Sequence, residues 1–179
     1  MPQPKIAYLS LGSNLGDKAN FLQHALFALQ KRAGDIVRIS PIYESSSWGF
    51  EAENFLNCCI SIQTALAPQA LLTTILDIES QLGRKRAAEV GYIPRTIDID
   101  ILYYEKETVV LQNLVIPHPE LHFRKFVLRP LADIAPQFYH PILNKDSRNL
   151  LQECRDKGQL EKTGYRLFKD RHHLFAHTN

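Results

Sequence analysis

The sequence is poor in cysteine and contains no long apolar run, and each shortage excludes a class of protein. Its three cysteines, Cys58, Cys59 and Cys154, form no C-x-x-C pair, so the sequence supports neither a zinc ribbon nor a thioredoxin-type redox site. The neighbours Cys58 and Cys59 would point to opposite faces of a strand, which argues against a disulfide framework. No run approaches the roughly 18 apolar residues that a membrane span needs.

A targeting segment is also missing from the beginning of the chain. The stretch MPQPKIAYLSLGSN has one lysine and too few consecutive apolar residues for a signal peptide, so we expect a cytoplasmic protein. The length of 179 residues fits one domain at roughly 150 residues per domain. We assign that domain to residues 1–156 and leave residues 157–179 as a C-terminal tail of unknown role.

Positive and negative charges are nearly balanced, with 21 Lys and Arg residues against 19 Asp and Glu residues. The net charge of +2 gives little general attraction to nucleic acid. Between residues 84 and 95, however, Arg84, Lys85, Arg86 and Arg95 stand against Glu89 alone. The positive charge of the chain is therefore concentrated in one short loop.

The first third of the chain has the pattern of strand, helix and strand. Alternating residues over 5–11 predict a strand that Gly12-Ser13-Asn14 ends. Asp17 can cap the following helix, which carries an apolar stripe. Residues 36–42 favour a second strand, and the Ser-rich stretch 44–53 is typical of a loop.

The pattern then continues with strand, helix and strand. Residues 55–64 alternate regularly, and a helix begins at Pro68 and ends at Gly83. Residues 96–104 alternate again and lead into a hairpin around residues 105–108.

Beyond this unit the pattern is weaker. Residues 116–119, with two prolines, predict a rigid turn into a short helical segment. Residues 126–131 favour an edge strand, and residues 147–156 favour a closing helix. The order strand, helix, strand, strand, helix, strand predicts an α+β fold of the ferredoxin-like kind, a split βαβ antiparallel sheet with its helices on one face. The tail would be a C-terminal extension of that fold.

The face of the sheet without helices is where a ligand would bind. Because side chains alternate along a strand, Phe55, Asn57, Asp98 and Asp100 are predicted to lie together on this uncovered face. A phenyl ring there needs a ligand, a loop or a partner to cover it. We therefore expect Phe55 to stack against a flat ring.

Asp98 and Asp100 have the spacing of a cation site. At i and i+2 on a strand, their Cα atoms are about 6.5–7 Å apart, which lets both carboxylates reach a pair of Mg²⁺ ions. A D-x-D pair alone is more often a solvated strand edge, but Arg95 brings the basic loop beside these acids. This combination suits polyphosphate. No G-x-x-x-x-G-K-[ST] motif is present, so such a site would lack a Walker loop.

Other interpretations of these residues have less support. His118 and His122 stand at i and i+4, but the H-E-x-x-H pattern of catalytic zinc is absent. A ferredoxin-like RNA-binding module would stack bases on exposed aromatic residues, but its sheet should be basic rather than acidic. A pure scaffold would not explain so many convergent polar residues.

Five segments together resemble one known family. They are LSLGSNLGD (9–17), FLNCC (55–59), DIESQLGRKR (77–86), PRTIDIDIL (94–102) and IPHPELHFRKFVLRPL (116–131). In this order and spacing they are similar to the 6-hydroxymethyl-7,8-dihydropterin pyrophosphokinases of folate biosynthesis. The resemblance implies transfer of diphosphate from ATP to the hydroxymethyl group of the pterin, with release of AMP. It also implies ATP as co-substrate, two Mg²⁺ ions, and a monomer that binds neither nucleic acid nor membrane.

The resemblance further implies a role for individual residues. Asp98 and Asp100 match the ligands of both Mg²⁺ ions, and they form the catalytic set together with Arg84 and Arg95. The residues matched to the pterin site are Ser45, Trp48, Phe55, Asn57 and Phe126. The residues matched to the ATP site are Glu79, Arg84, Arg86, Arg95, Ile101, His118 and Arg124. The chain departs from many relatives at residues 90–92, where they carry an Arg-Trp pair, and the resemblance does not say how this loop closes over ATP.

Overall fold

The computed structural model describes residues 2–46, 53–84 and 95–174. The strands are β1 (Lys5–Ser13), β2 (Asp35–Ile39), β3 (Tyr43–Ser45), β4 (Phe55–Thr64), β5 (Asp98–Tyr104), β6 (Val109–Leu111), β7 (Leu114–Ile116) and β8 (Leu160–Lys162). The helices are α1 (Lys18–Arg32), α2 (Pro68–Gln81), α3 (Lys125–Ile134) and α4 (Ser147–Glu153), with 3₁₀ turns at Leu121–Phe123 and Arg171–Leu174. In this part of the chain, no helix is long and apolar enough to cross a membrane.

The main sheet is antiparallel, with the strand order β5-β1-β4-β3-β8, and β2 pairs with β4 beside β3. The predicted second strand, residues 36–42, is present as β2, whereas β3 extends into the stretch 44–53 that the sequence predicts to be a loop. Pro41 separates them, because it has no backbone N–H for the ladder. Just before it, the N–H of Ser40 donates to the carbonyl of Cys59 at 2.9 Å. With β2 and β3 counted as one interrupted strand, the order is ferredoxin-like, and the predicted α+β fold is confirmed.

The first two helices cover one face of the sheet, as predicted. Asp17 caps α1 by accepting a hydrogen bond from the N–H of Asn20, and Pro68 is the first residue of α2. Under these helices lie alternate residues of β4 and β5, namely Leu56, Cys58, Ile60, Ile62, Ile99 and Ile101. Cys58 and its neighbour Cys59 point into different cores, and both thiols are free.

The segment 126–131 is not the predicted edge strand, because it lies within α3. Pro130 inside this helix removes one backbone hydrogen bond, which is locally unfavourable. The apolar residues of the segment nevertheless recur at helical spacing and are buried on the second face of the sheet. They are Val127, Leu128, Leu131 and Ile134. Helices α3 and α4 therefore cover part of the face that the sequence predicts to be open.

The predicted hairpin around residues 105–108 is also wrong, because the strand that follows this turn does not pair with β5. The N–H of Glu105 still donates to the carbonyl of Ile6 in β1, and the left-handed conformation of Glu105, with a φ of 48°, turns the chain after β5. β6 instead pairs with β7 in a separate two-stranded sheet. The predicted helical segment after residues 116–119 is the 3₁₀ turn Leu121–Phe123, and the predicted closing helix is α4.

The described part of the C-terminal tail packs on the domain. β8 extends the main sheet beyond β3. Farther on, Gln23 of α1 makes two hydrogen bonds with the backbone of Phe168, at 2.6 Å and 2.9 Å. Leu167 contacts the core under α1 and α2. The tail is thus fixed to the sheet edge and to α1.

Candidate active site

A cavity of about 1030 Å³ opens on the second face of the sheet, beside α3. Its floor consists of residues from β1, β3, β4 and β5, and its walls come from residues 120–126 and 155–160. The predicted grouping of Phe55, Asn57, Asp98 and Asp100 is confirmed, because all four residues line this cavity. The ferredoxin-like register thus brings residues that are far apart in sequence to one place.

Gly12 lies at the centre of the floor. In the register of the sheet it is opposite Asn57 on β4 and opposite Asp98 on β5. A Cβ atom at this position would be 3.1 Å from Asn57 Oδ1 and 3.8 Å from the ring of Phe55. The glycine therefore leaves space over the floor that any side chain would fill.

On one side of Gly12 is the aromatic half of the cavity, which we define as Ser45, Phe55, Asn57 and Phe126. Pairing of β3 with β4 places Ser45 opposite Phe55. Asn57 is buried, and its Nδ2 donates to Ser45 Oγ at 2.8 Å. Phe126, from the first turn of α3, lines the same cavity. Trp48, also predicted to be in this site, lies outside the described residues.

On the other side is the charged half, which we define as Arg95, Asp98 and Asp100, which line the cavity, together with Arg84, which pairs with Asp98 but is not among the lining residues. Arg84 Nη1 lies 2.9 Å from Asp98 Oδ1, and Arg95 Nη1 lies 2.8 Å from Asp98 Oδ2. The two arginines thus share one carboxylate. Arg86, predicted to act with them, lies outside the described residues.

Asp100 lies two residues after Asp98 on β5 and is opposite Ser10 of β1. Its partial burial, and next the negative charge of Asp98, raise the pKa of its carboxyl group to about 7. The carboxylates of Asp98 and Asp100 repel each other when both are charged, and a cation between them would relieve this repulsion. Among the described residues, no group of three or more His, Cys, Asp or Glu side chains is arranged to hold a metal ion.

Glu79 fixes the position of Arg84. The side chain is 1 % exposed, its Oε1 accepts from the N–H of Ile99 at 2.7 Å, and its Oε2 accepts from Arg84 Nη1 at 2.5 Å. Burial raises the pKa of Glu79, while the hydrogen bond from Ile99 and the charge of Arg84 oppose that rise. The family resemblance assigns Glu79 to the ATP site, and in the structure its carboxylate contacts Arg84 and the backbone of Ile99.

Asn14 performs a similar task for Arg95. Its Oδ1 accepts from the N–H of Arg95 at 2.8 Å, and its own N–H donates to the carbonyl of Arg95 at 3.1 Å. Sequence reasoning treated Asn14 only as part of a strand-ending turn. Its place in the segment LSLGSNLGD, which contributes to the family resemblance, was the signal that could have identified it.

The remaining predicted ATP-site residues have different environments. Arg124 lines the cavity, with its guanidinium 5.9 Å from the centre of the Phe126 ring. His118 Nε2 lies 3.9 Å from Asp100 Oδ1, and burial, followed by the charge of Arg124, lowers the pKa of His118. Ile101 is 4 % exposed in the core under α1 and α2, so its side chain faces away from the cavity.

Comparison with known proteins identifies the family. Residues 8–136 match the family model described as 7,8-dihydro-6-hydroxymethylpterin-pyrophosphokinase (HPPK). The chain is 42 % identical over 147 residues to the 2-amino-4-hydroxy-6-hydroxymethyldihydropteridine pyrophosphokinase of Aquifex aeolicus, a match that covers 82 % of this chain and 90 % of that protein. It is also 42 % identical over 134 residues to the enzyme of that name from Bacillus subtilis, covering 74 % of this chain and 79 % of the relative.

Among solved structures, the fold is similar to that of Plasmodium falciparum HPPK-DHPS, with a TM-score of 0.71 and 18 % sequence identity. That match covers 86 % of this chain but 45 % of the Plasmodium chain, and it supports the ferredoxin-like architecture alone. The family model spans the strands and helices that form both halves of the cavity floor. The chain therefore belongs to the 7,8-dihydro-6-hydroxymethylpterin-pyrophosphokinase family.

Proposed function

We propose that this enzyme transfers diphosphate from ATP to the hydroxymethyl group of 6-hydroxymethyl-7,8-dihydropterin, with release of AMP, in folate biosynthesis. One observation supports this function above all others. In a chain of this family, Gly12 has Asn57 of the aromatic half on one side and Asp98 of the charged half on the other. A flat heterocycle and a polyphosphate can therefore bind next to each other on one sheet floor.

The aromatic half would hold the pterin. Phe55 and Phe126 supply aromatic faces for stacking on a flat ring. Asn57 and Ser45, already hydrogen-bonded to each other, supply amide and hydroxyl groups for the polar edge of the ring. Trp48 is proposed as a further pterin contact.

The charged half would hold the triphosphate with two Mg²⁺ ions. Asp98 and Asp100 fit this metal, because Mg²⁺ binds one or two carboxylates together with phosphate oxygens and water rather than a full set of protein ligands. When bound, the ions neutralise phosphate charge and favour in-line displacement. Arg84 and Arg95 lie where they can exchange Asp98 for phosphate oxygens, and guanidinium groups bind such oxygens in a bidentate manner.

The reaction requires positioning and charge stabilisation more than a strong base. The hydroxyl oxygen of the pterin attacks the β-phosphorus of ATP, the bond from that phosphorus to the α-β bridging oxygen breaks, and AMP leaves with the bridging oxygen. The hydroxyl proton passes to solvent. We propose that Arg84 and Arg95 stabilise the charge of the transferred group, that Arg86, Arg124 and His118 contact the nucleotide, and that Glu79 acts through Arg84.

We further propose a monomer that acts in the cytoplasm. The free cysteines Cys58, Cys59 and Cys154 suit a reducing compartment.

The product nucleotide tests the function directly. Purified protein is incubated with ATP, Mg²⁺ and 6-hydroxymethyl-7,8-dihydropterin, and AMP and ADP are quantified by chromatography. We expect one AMP for each pterin consumed, and none when the pterin is left out. ADP formation in step with pterin loss would contradict diphosphate transfer, because ADP is the product of ordinary phosphoryl transfer.

A further inference from the structure

The last two residues of the assigned domain and the beginning of the C-terminal tail form one wall of the cavity, which we call the tail wall. Residues 155–160 line it without interruption. β8 places Leu160 opposite Ser45 of the aromatic half. Thr163 anchors this strand, because its N–H and its hydroxyl both donate to the carbonyl of Ile42, at 2.9 Å and 3.0 Å. A segment outside the family match at residues 8–136 therefore lies against the proposed pterin site.

Asp156 joins this wall to the helix that carries Phe126. Its Oδ2 accepts from the N–H of Lys125 at 3.0 Å, and its Oδ1 accepts from the N–H of Gly158 at 2.8 Å. Lys125 is the first residue of α3, and the N-cap residue Arg124 makes no capping hydrogen bond through its side chain. Asp156 thus supplies, from 31 positions along the chain, the acceptor and negative charge that stabilise a helix N-terminus.

We propose that Asp156 is a positioning residue for the pterin, because it fixes the first turn of α3 and the tail wall to each other. The inference rests on the proposed function of the aromatic half. Phe126 immediately follows Lys125, so a displacement of that first turn moves the phenyl ring relative to Phe55 on the sheet. Small displacements of a substrate-positioning group have large effects on binding and rate. The effect should fall on the pterin more than on ATP, because Arg124 beside this turn is only one of several proposed nucleotide contacts, and Asp98 and Asp100 belong to the sheet.

Kinetics and direct binding of Asp156→Ala test this role. We expect the KM and Kd for 6-hydroxymethyl-7,8-dihydropterin to rise about five- to twentyfold, with the KM for ATP changed by no more than about threefold. KM is measured by AMP release, and Kd by calorimetry in the presence of Mg²⁺ and a non-hydrolysable ATP analogue. Asp156→Asn keeps one carbonyl oxygen as an acceptor, so its values should lie between those of the wild type and Asp156→Ala.

Asp146→Ala is a matched control for the loss of a helix cap. Asp146 Oδ1 accepts from the N–H of Asn149 at 2.9 Å and caps α4, and Asp146 does not line the cavity. Both alanine variants should lower Tm by about 2–6 °C, but only Asp156→Ala should weaken pterin binding. If Asp156→Ala has this Tm loss and a pterin Kd within twofold of wild type, Asp156 is only a structural cap and the proposal is overturned.

Gly158→Ala provides a second route if Asp156→Ala does not fold. A Cβ atom on residue 158 would lie 3.0 Å from Asp156 Oδ1, so the carboxylate must shift while it remains present. We expect the pterin KM to rise about two- to fivefold, and an unchanged value would overturn the proposal. A wild-type enzyme that released no AMP would instead overturn the proposed function, and the role of Asp156 with it.

Discussion

The aromatic and charged halves of the cavity hold their side chains by different means. In the aromatic half, strand pairing places Ser45 opposite Phe55, and the hydrogen bond between Asn57 and Ser45 joins two uncharged groups. In the charged half, Asp98 contacts Arg84 and Arg95 at 2.9 Å and 2.8 Å. In the proposed function, the pterin therefore enters a surface that backbone geometry has already shaped, whereas the metal-bound triphosphate must replace existing ion pairs.

The largest effect is expected for Asp98→Ala, which should abolish most of the activity and leave pterin binding nearly unchanged. Asp98→Ala should lower kcat/KM by at least about a thousandfold, because metal clamping of phosphate contributes several kcal/mol of transition-state stabilisation. Pterin binding measured by calorimetry should stay within a few-fold of wild type, since the Asp98 carboxylate pairs with Arg84 and Arg95, whereas the Asn57 amide pairs with Ser45. Near-normal turnover of the folded variant at saturating Mg²⁺ would contradict the metal assignment.

The converse effect is expected for the aromatic half. Phe55→Ala should weaken pterin binding by about 1–3 kcal/mol, the range of aromatic stacking on a base, and leave ATP affinity largely unchanged. Trp48, the single tryptophan, gives a fluorescence signal for the titration, and calorimetry gives an independent value. Equal losses for pterin and ATP would show that the two halves do not bind their ligands separately.

Glu79 tests whether the arginines need a buried support. Glu79→Gln keeps an acceptor for the N–H of Ile99 but removes the charge beneath Arg84, so the KM for ATP should rise about tenfold with little change for the pterin. Glu79→Ala also leaves that buried N–H without its acceptor and should lower the unfolding free energy by a further 1–3 kcal/mol or so. Denaturant unfolding of both variants measures the difference. If wild type and Glu79→Gln have equal KM values for ATP, Glu79 does not contribute to ATP binding through Arg84.

The smallest effect is expected for Gly12→Ala, because Gly12 lies between the aromatic and charged halves. The added Cβ of Gly12→Ala would lie 3.1 Å from Asn57 Oδ1, so the amide must move by a few tenths of an ångström. Pterin affinity should fall about three- to tenfold, because the variant both shifts Asn57 and fills the floor. ATP titration of the same variant is the internal control. A larger loss of affinity for ATP than for the pterin would show that Gly12 does not lie at the boundary between the two binding sites.

The sequence predicted those parts of the site that depend on strand periodicity. Alternation in β4 and β5 was enough to place Phe55, Asn57, Asp98 and Asp100 on one face, because side chains of successive strand residues must point to opposite sides. The same alternation indicated that Ile101 belongs to the core, where the structure has it, while the family resemblance assigned it to ATP.

The parts that depend on distant contacts could not be predicted in this way. A proline inside a helix is locally unfavourable, so the formation of α3 across Pro130 depends on burial of its apolar residues on the second face of the sheet. The hydrogen bond from Lys125 to Asp156 joins segments with no shared periodicity. The hydrogen bond between Asn14 and Arg95 spans 81 positions, so no periodicity near either residue predicts it, and the family segment LSLGSNLGD is the signal that points to Asn14.

The two adjacent cysteines of β4 can be used to measure solvent exposure on each side of this strand. Burial raises the pKa of the Cys58 thiol to about 12 and raises that of Cys59 as well, so both are protonated and shielded from thiol reagents in the folded state. Because Cys58 lies in one core and Cys59 in the other, the rate at which each is alkylated reports the exposure of its own side of β4. With Cys154 replaced by serine, alkylation followed by mass spectrometry would distinguish an opening under α1 and α2 from an opening under α3.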